Sequence, residues 1–216
     1  MCARYSITKD TITIQIGEHV ITINIKARYN VAPTQKVPAI IPNLKGGFQE
    51  VEMSWGWKPV WSDTLLINAQ SETVQTKSTF KKYLHQRCLI PADGFYEWTS
   101  DKTPIRFTKK NDAPFCFAGL WYESRSKPQD VELTEIKFLI LTTTPNESVK
   151  KVHSRMPFIV PDNHYQWWFD DTMFETVLRN PDKEPLYSCP VQKDLNNVKN
   201  EGQHLILPSP RQNDLF

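Results

Sequence analysis

Glycine is scarce in this chain of 216 residues, which has 7 glycines against 16 prolines. Because proline fixes its φ angle while glycine leaves the backbone free, this ratio predicts many fixed turns and few flexible loops. Long apolar runs are also missing, both along the chain and near its start. Nothing therefore indicates a transmembrane helix or a signal peptide, and we expect a cytoplasmic protein with reduced thiols and no membrane contact.

Metal-binding patterns are missing as well. The four cysteines stand far apart, at positions 2, 88, 116 and 189, and none belongs to a CxxC or Cys/His pair of the kind that holds zinc. We therefore expect no metal and no cofactor. A net charge of +2 is too small to indicate nucleic-acid binding by itself, so any basic surface has to be local.

Aromatic residues are abundant, at 12% of the chain with 7 tryptophans. This exceeds what a small core needs and leaves some for a binding surface. The length predicts one domain with a real core. We place it at residues 1–207, because the last stretch, LPSPRQNDLF, has the composition of a tail, which we assign to 208–216.

Alternating apolar and polar residues dominate the first part of the chain. TITIQI and VITINI, joined by a short connection that contains glycine, predict a β-hairpin over 11–16 and 20–25. NVAPTQKVP is predicted to be a loop. Further strand candidates are VEMSWGW, LLINA, RCLIPA, PIRF, PFCFAGLW and KFLILTTT.

Helical patterns are fewer and short, at 73–86, 144–153, 162–169 and 171–180. The second of these is expected to begin at Thr144, whose hydroxyl would cap it, with proline at the first helical position. Strands mixed irregularly with a few helices predict an α+β fold, with a predominantly antiparallel or mixed β core and short flanking helices.

Four short segments each place a chemically able side chain against an apolar strand or at a helix end: MCAR, LLINAQSETV, PADGFYEW and TTTPNESVKKVHSRMP. In the first, removal of the initiator methionine would leave Cys2 with an α-amine and a thiol on one carbon. These groups titrate near ~7.7–8.0 and ~8.5, so both have a reactive fraction at neutral pH. The alternative is that the thiol is idle.

The other three segments offer Asn68, Glu97 and His153. A strand asparagine with apolar neighbours is usually a satisfied structural amide. Glu97 lies between two aromatic residues, where desolvation would raise its pKa and suit it to acid or base work, unless it simply points to water. His153 is predicted at a helix C-terminus, and Arg155 beside it could bind a phosphate or satisfy carbonyls.

Taken together, the motifs resemble those of the SRAP family, the SOS-response-associated peptidase-like or abasic-site-processing proteins. The resemblance covers roughly residues 1–207 and rests on ten segments in the family's order: MCAR, RYNVAPTQ, WGW, INAQSE, Phe80, CLIPADGFYEW, FAGLW, LTTTPN, VHSRMP and NNVKNEG. So many ordered matches are far more specific than one short pattern.

The resemblance implies an enzyme that senses abasic sites in single-stranded DNA. Cys2 would attack the ring-opened aldehyde, the amine forming a Schiff base and the thiol closing a thiazolidine that crosslinks protein to DNA. Asn68 would orient the sugar or the amine, and Glu97 would move protons. His153 would support strand cleavage by β-elimination, an AP-lyase activity, and reversal of the crosslink.

The DNA-binding residues implied by the resemblance fall into two groups. Arg4 and Arg155 would hold flanking phosphates. The second group would contact bases, with Trp61 and Trp98 as stacking platforms and Asn30 and Pro33 in a loop against the bases.

Two positions depart from the family pattern. Gln70 stands where the family usually has arginine, so one phosphate contact is expected to be lost. Ala3 replaces a common glycine, a change that should be tolerable.

Two other functions stay open. Cys2 could be the nucleophile of a cysteine peptidase, helped by His153 and Glu97, that removes its own initiator methionine. Alternatively, the chain could be a non-catalytic module that binds single-stranded DNA.

The final QNDLF resembles the peptide that binds the bacterial sliding clamp. Gln212 would make polar contacts while Leu215 and Phe216 fill apolar pockets, which would place a monomeric protein at replication forks in the nucleoid. The alternative is an ordinary frayed terminus.

Overall fold

The structure is a computed structural model and describes residues 2–59, 61–125 and 134–209. Its strands have these bounds: β1 Tyr5–Ile7, β2 Thr11–Ile16, β3 His19–Asn24, β4 Arg28–Val31, β5 Lys36–Pro42, β6 Phe48–Trp55, β7 Asn68–Gln70, β8 Arg87–Ala92, β9 Gly94–Trp98, β10 Pro104–Thr108, β11 Phe115–Arg125, β12 Thr134–Thr143, β13 Met156–Pro157, β14 Ile159–Val160 and β15 Tyr187–Pro190. The helices of the same residues are α1 Ser78–Lys81, α2 Tyr165–Phe169 and α3 Phe174–Arg179, with 3-10 turns at Lys110–Asp112, Val149–Lys151, Asp162–His164, Lys193–Asn196 and Gln203–Ile206. None of these described helices is long and apolar enough to cross a membrane.

The larger sheet closes into a barrel. Its central strands follow the order β12-β6-β5-β8-β11, and β11 pairs again with β12. The pairing of β6 with β12 is parallel, and the other four pairings around the barrel are antiparallel. This mixed β core with short flanking helices confirms the predicted α+β fold.

A second sheet brings the amino terminus into the middle of the molecule. Its order is β15-β10-β9-β1-β4, so β1 lies between two partners and is no edge strand. The sheet packs on the barrel through aromatic rings, with the Tyr5 ring 5.4 Å from that of Trp55 and 5.6 Å from that of Phe117. The first residues of the chain are therefore held between the two sheets.

A break between β6 and β7 positions the segment that contains Asn68. Gly56 has a φ of +115°, a backbone conformation that other residues rarely adopt, and the chain leaves β12 at this point. Trp57 and Leu66 bridge across the base of the excursion, and β7 then pairs with β12 further along, where Asn68 lies opposite Ile140. β6 and β7 therefore pair one after the other with the same side of β12.

The strongest strand predictions are confirmed. The two alternating runs form an antiparallel hairpin in which Ile16 pairs with His19, and the apolar positions of β2 are buried while the polar ones are exposed. RCLIPA corresponds to β8 from end to end, and all its residues are buried. The alternation on both sides of a short connection was sufficient to predict the hairpin, and the continuous apolar run was sufficient to predict β8.

The helix predictions need correction. Over 73–86 the α-helix is limited to α1, because the β-branched residues before it lose side-chain freedom in a helix and so have low helix propensity. Over 144–153 there is a single 3-10 turn, whose first amide, that of Val149, donates to Asn146 Oδ1 at 3.0 Å and not to Thr144. The regions 162–169 and 171–180 do contain helices, which are shorter than predicted.

The predicted loop at 30–38 is also mostly strand, since β4 ends at Val31 and β5 begins at Lys36. At the carboxyl end, Pro208 bridges Val191 and the Ser209 amide donates to Pro190, so bonded structure extends slightly past the predicted boundary. The clamp-binding prediction for Gln212, Leu215 and Phe216 lies outside the described residues.

The close packing of β11 gives a prediction for stability. A Cβ on Gly119 would overlap Ile90 Cδ1 and lie 2.8 Å from Cys88 Sγ and 3.1 Å from the Leu139 carbonyl oxygen. We expect Gly119→Ala to lower the free energy of unfolding by about 1–3 kcal/mol, measured by urea denaturation. Gly47→Ala is the control, because its Cβ would meet nothing closer than 3.4 Å. Equal midpoints for the two variants would contradict this packing.

Candidate active site at the amino terminus

Cys2 lies where the two sheets meet. It precedes β1, and the Tyr96 amide donates to the Arg4 carbonyl at 3.1 Å, so the first residues continue alongside β9. From the barrel side, Asn68 Nδ2 donates to the Cys2 carbonyl at 2.8 Å. Residues from two distant segments, β7 and β9, therefore converge on the beginning of the chain.

The Cys2 thiol is fully buried in a chain that begins at Met1, where the Cys2 nitrogen is an amide. Its Sγ lies 3.5 Å from the Arg4 carbonyl oxygen. Burial raises the pKa of the thiol well above its usual range, and the nearby Glu97 carboxylate raises this pKa further. In this form the thiol is protonated at neutral pH, so a free α-amine and a proton acceptor are both needed before it can react.

Glu97 is the buried acid of the site. Its side chain is 2% exposed, and Oε1 has no hydrogen-bond partner. Burial raises the pKa of the Glu97 carboxyl to about 7. At neutral pH both the acid and the carboxylate are therefore populated, as general acid–base work requires.

The cause of this burial differs from the one predicted. Neighbouring residues of a strand point to opposite faces, so Tyr96 and Trp98 do not enclose Glu97. They pack instead in a separate apolar cluster with Leu195. Glu97 shares its face with Phe95, which belongs to the main core, and is desolvated by the barrel.

His153 and Arg155 form a second part of the site at the end of β12. The Arg155 amide donates to His153 Nδ1 at 3.0 Å, which fixes the ring. The Arg155 guanidinium donates to both Glu72 carboxylate oxygens at 2.7 and 2.8 Å and to the Thr142 carbonyl at 2.7 Å. Thr142 pairs with Gln70, which follows Asn68 by two residues in β7, a displacement of about 7 Å along the strand.

Among the described residues, four of the nine buried side-chain N or O atoms that lack a hydrogen-bond partner belong to the candidate site: Arg4 Nε, Asn68 Oδ1, Glu97 Oε1 and Arg155 Nε. Buried polar atoms of folded proteins are nearly always paired, so a group of exceptions is typical of a site prepared for a ligand. Asn68 is therefore not the fully satisfied structural amide considered above.

Asn30, predicted to contact bases, is a structural amide. It is fully buried, and its Nδ2 donates to the carbonyl oxygens of Leu195, Asn197 and Asn200 at 3.0–3.2 Å. Its Oδ1 accepts from Arg4 at 3.3 Å. With its amide engaged, Asn30 holds Arg4 in place, and we correct its assignment accordingly.

The other predicted DNA contacts differ in accessibility. Trp61 is 65% exposed, and Gln70 is also exposed. Pro33 is half-buried. Trp98 is half-buried beneath the Arg4 guanidinium, at 5.8 Å from the ring centroid, and its indole N–H donates to Asn196.

Two contacts of the candidate site were not predicted from the sequence. Glu72 binds the guanidinium of Arg155, and Thr142 supports the same group from β12. Glu72 lies within the INAQSE segment, which is the signal that could have drawn attention to it. Among the residues that the structure describes, no group of three or more His, Cys, Asp or Glu side chains is placed to hold a metal ion.

The raised pKa of Glu97 predicts a pH-dependent stability. Because the folded state keeps the proton up to about pH 7 and the unfolded state loses it near 4.5, stability contributed by the neutral acid is lost as pH rises between these values. Glu97→Gln removes this dependence, so its stability relative to the parent should increase by on the order of 3 kcal/mol from pH 4.5 to 7.5. Urea unfolding across this range measures it, and a constant difference would contradict a buried, protonated Glu97.

Comparisons with known proteins agree with the motifs. The sequence matches the family SOS response associated peptidase (SRAP) over residues 1–198. The protein named abasic site processing protein YoaM, from Bacillus subtilis, is 35% identical over 193 residues, which cover 82% of this chain and 83% of the relative. Abasic site processing protein YedK, from Escherichia coli, is 28% identical, with 84% of each chain covered.

Solved structures give the same result for the fold. A protein from Bacteroides thetaiotaomicron superposes with a TM-score of 0.75 at 19% identity, covering 96% of this chain and 100% of the other. A phage-related protein from Bordetella bronchiseptica gives a TM-score of 0.72 at 25% identity, covering 88% and 94%. The match across nearly the whole chain and the likeness to YoaM show that the chain belongs to the SRAP family.

Proposed function

We propose that this protein processes abasic sites in single-stranded DNA, and that Cys2, freed by removal of Met1, captures the sugar aldehyde in a covalent crosslink. The observation that carries the proposal is the position of Cys2. Its carbonyl accepts a hydrogen bond from Asn68, and it lies beside a buried Glu97 with a pKa of about 7. The names of relatives such as YoaM and YedK support the substrate class.

The chemistry balances with the groups present. The α-amine of Cys2 adds to the aldehyde carbon of the ring-opened sugar, and the resulting hydroxyl leaves as water to give an imine. The thiol then adds to the imine carbon and its proton passes to the nitrogen, which closes a five-membered thiazolidine. One water molecule is lost overall, and an amine and a thiol on one residue are both required.

Glu97 is suited to both proton transfers. As an acid it protonates the departing hydroxyl, and as a carboxylate it accepts the proton of the Cys2 thiol, whose raised pKa makes a base necessary. Asn68 holds the Cys2 carbonyl through Nδ2, which leaves Oδ1 to accept a hydrogen bond from the amine or a sugar hydroxyl.

DNA binding is assigned to residues around this centre. Arg4 is a half-buried cation that lies over Trp98 and has no carboxylate within ion-pair distance among the described residues, so it is the favoured phosphate ligand. Trp61 has an exposed ring on which a base can stack. His153, which lies beside Arg155, is assigned to β-elimination at the sugar.

A crosslinking assay tests the role of Cys2. We expect the purified protein to form an adduct with a single-stranded oligonucleotide carrying one abasic site, stable on a denaturing gel, with a mass equal to the sum of both molecules less one water. Cys2→Ala should lose the stable adduct and retain only an imine that borohydride traps. Glu97→Gln should form the adduct about 100-fold more slowly, a typical loss for general acid–base catalysis.

Two controls make this result specific. Cys189→Ala removes a partly exposed thiol that lies on β15 and should crosslink normally. Inserting a lysine between Met1 and Cys2 blocks methionine removal and should abolish the adduct although the thiol remains. Full adduct formation by Cys2→Ala would refute the role of Cys2. Binding of the oligonucleotide without any adduct would favour DNA binding alone, and peptide cleavage without any adduct would favour peptidase activity.

A further inference from the structure

An unpaired basic surface surrounds α1. Lys77, Lys81 and Lys82 are exposed, and no carboxylate of the described residues lies within ion-pair distance of them. We call these three residues the lysine surface. Acidic groups in neighbouring segments are engaged elsewhere: Asp63 with Lys58, Glu72 with Arg155, and Asp171 with Arg87.

The lysine surface lies beside the loop that bears Trp61. Trp57, at the base of that loop, packs edge-on against Phe80 of α1, with 6.5 Å between ring centroids, and against Tyr83, at 5.3 Å. Lys82 lies 4.9 Å from the Tyr83 ring. This aromatic cluster thus joins the base of the loop that bears Trp61 to the segment that carries the three lysines.

The three lysines form no ion pair with a described carboxylate, so their charges do not stabilise the fold in that way. Lys77 and Lys81 are four residues apart, the spacing at which like charges on a helical turn repel one another. The chain carries a net charge of only +2, so this local excess of cations reflects where the lysines lie and not the overall composition. An exposed aromatic ring beside unpaired lysines is the combination that binds single-stranded nucleic acid.

We propose that the lysine surface and Trp61 bind the strand that flanks the abasic site, with the lysines neutralising its phosphates. This inference rests on the proposed function. It also accounts for the absence of a cation at Gln70, on the strand just before this segment, because attraction of the DNA would be moved to α1. Binding here is electrostatic and independent of sequence.

The test uses an undamaged single-stranded oligonucleotide, which has no aldehyde and reports binding alone. We expect the triple variant Lys77→Gln, Lys81→Gln, Lys82→Gln to bind about tenfold more weakly at 50 mM NaCl. The slope of log Kd against log salt should fall by about 2, since each lost phosphate contact on a single strand contributes about 0.7. Trp61→Ala should weaken binding with the slope unchanged.

The matched control removes the same charge elsewhere. Lys9, Lys26 and Lys45 are exposed residues of other loops, and replacing all three by Gln should leave the slope within about 0.5 of the parent. Equal slopes for the two triple variants would overturn the inference. The lysine-surface variant should still crosslink abasic DNA normally at saturating concentration. Failure of the parent protein to crosslink abasic DNA would instead count against the proposed function. The slopes of log Kd against log salt would still test this inference.

Discussion

The hydrogen bond from Asn68 to the Cys2 carbonyl is the contact on which the site depends. It links the strand-like start of the chain, held by the second sheet, to a short strand of the barrel. Gly56 makes this hydrogen bond possible, because the chain must leave β12 and return before Asn68 can face the amino terminus. A reactive first residue would otherwise fray, as chain termini usually do.

Burial gives the same corner its chemistry. Desolvation raises the pKa of Glu97 towards neutrality and that of Cys2 far above it, so the acid becomes usable while the thiol is silenced. The two effects fit a group that has to be protected until its amine is free. On the proposed removal of Met1, an amide would become an ionisable amine beside Glu97, which would change the electrostatics of the site.

Local sequence patterns predicted the secondary-structure elements better than they predicted the contacts between distant residues. The alternation in β2 and the apolar run in β8 determine one structure each, because burial depends directly on side-chain period. Asn30 could not be assigned in this way, since its acceptor in Leu195 lies 165 positions away. The pairing of Glu72 with Arg155, 83 positions apart, is equally invisible to a local pattern. The SRAP resemblance named Cys2, Asn68, Glu97 and His153 as candidates, but it predicted neither of these two long-range contacts.

The distribution of positive charge explains how such a site can attract DNA at a low net charge. Arg155 is neutralised by Glu72 and Gln70 carries no charge, so the β7 side of the site has little attraction for a phosphate. Arg4 has no carboxylate partner among the described residues, and it is held by Asn30 and lies over Trp98. A single half-buried guanidinium positions one phosphate but cannot supply the long-range field that brings a polyanion to the protein. That field has to come from exposed cations, and unpaired lysines near an exposed tryptophan are where it would act on a single strand.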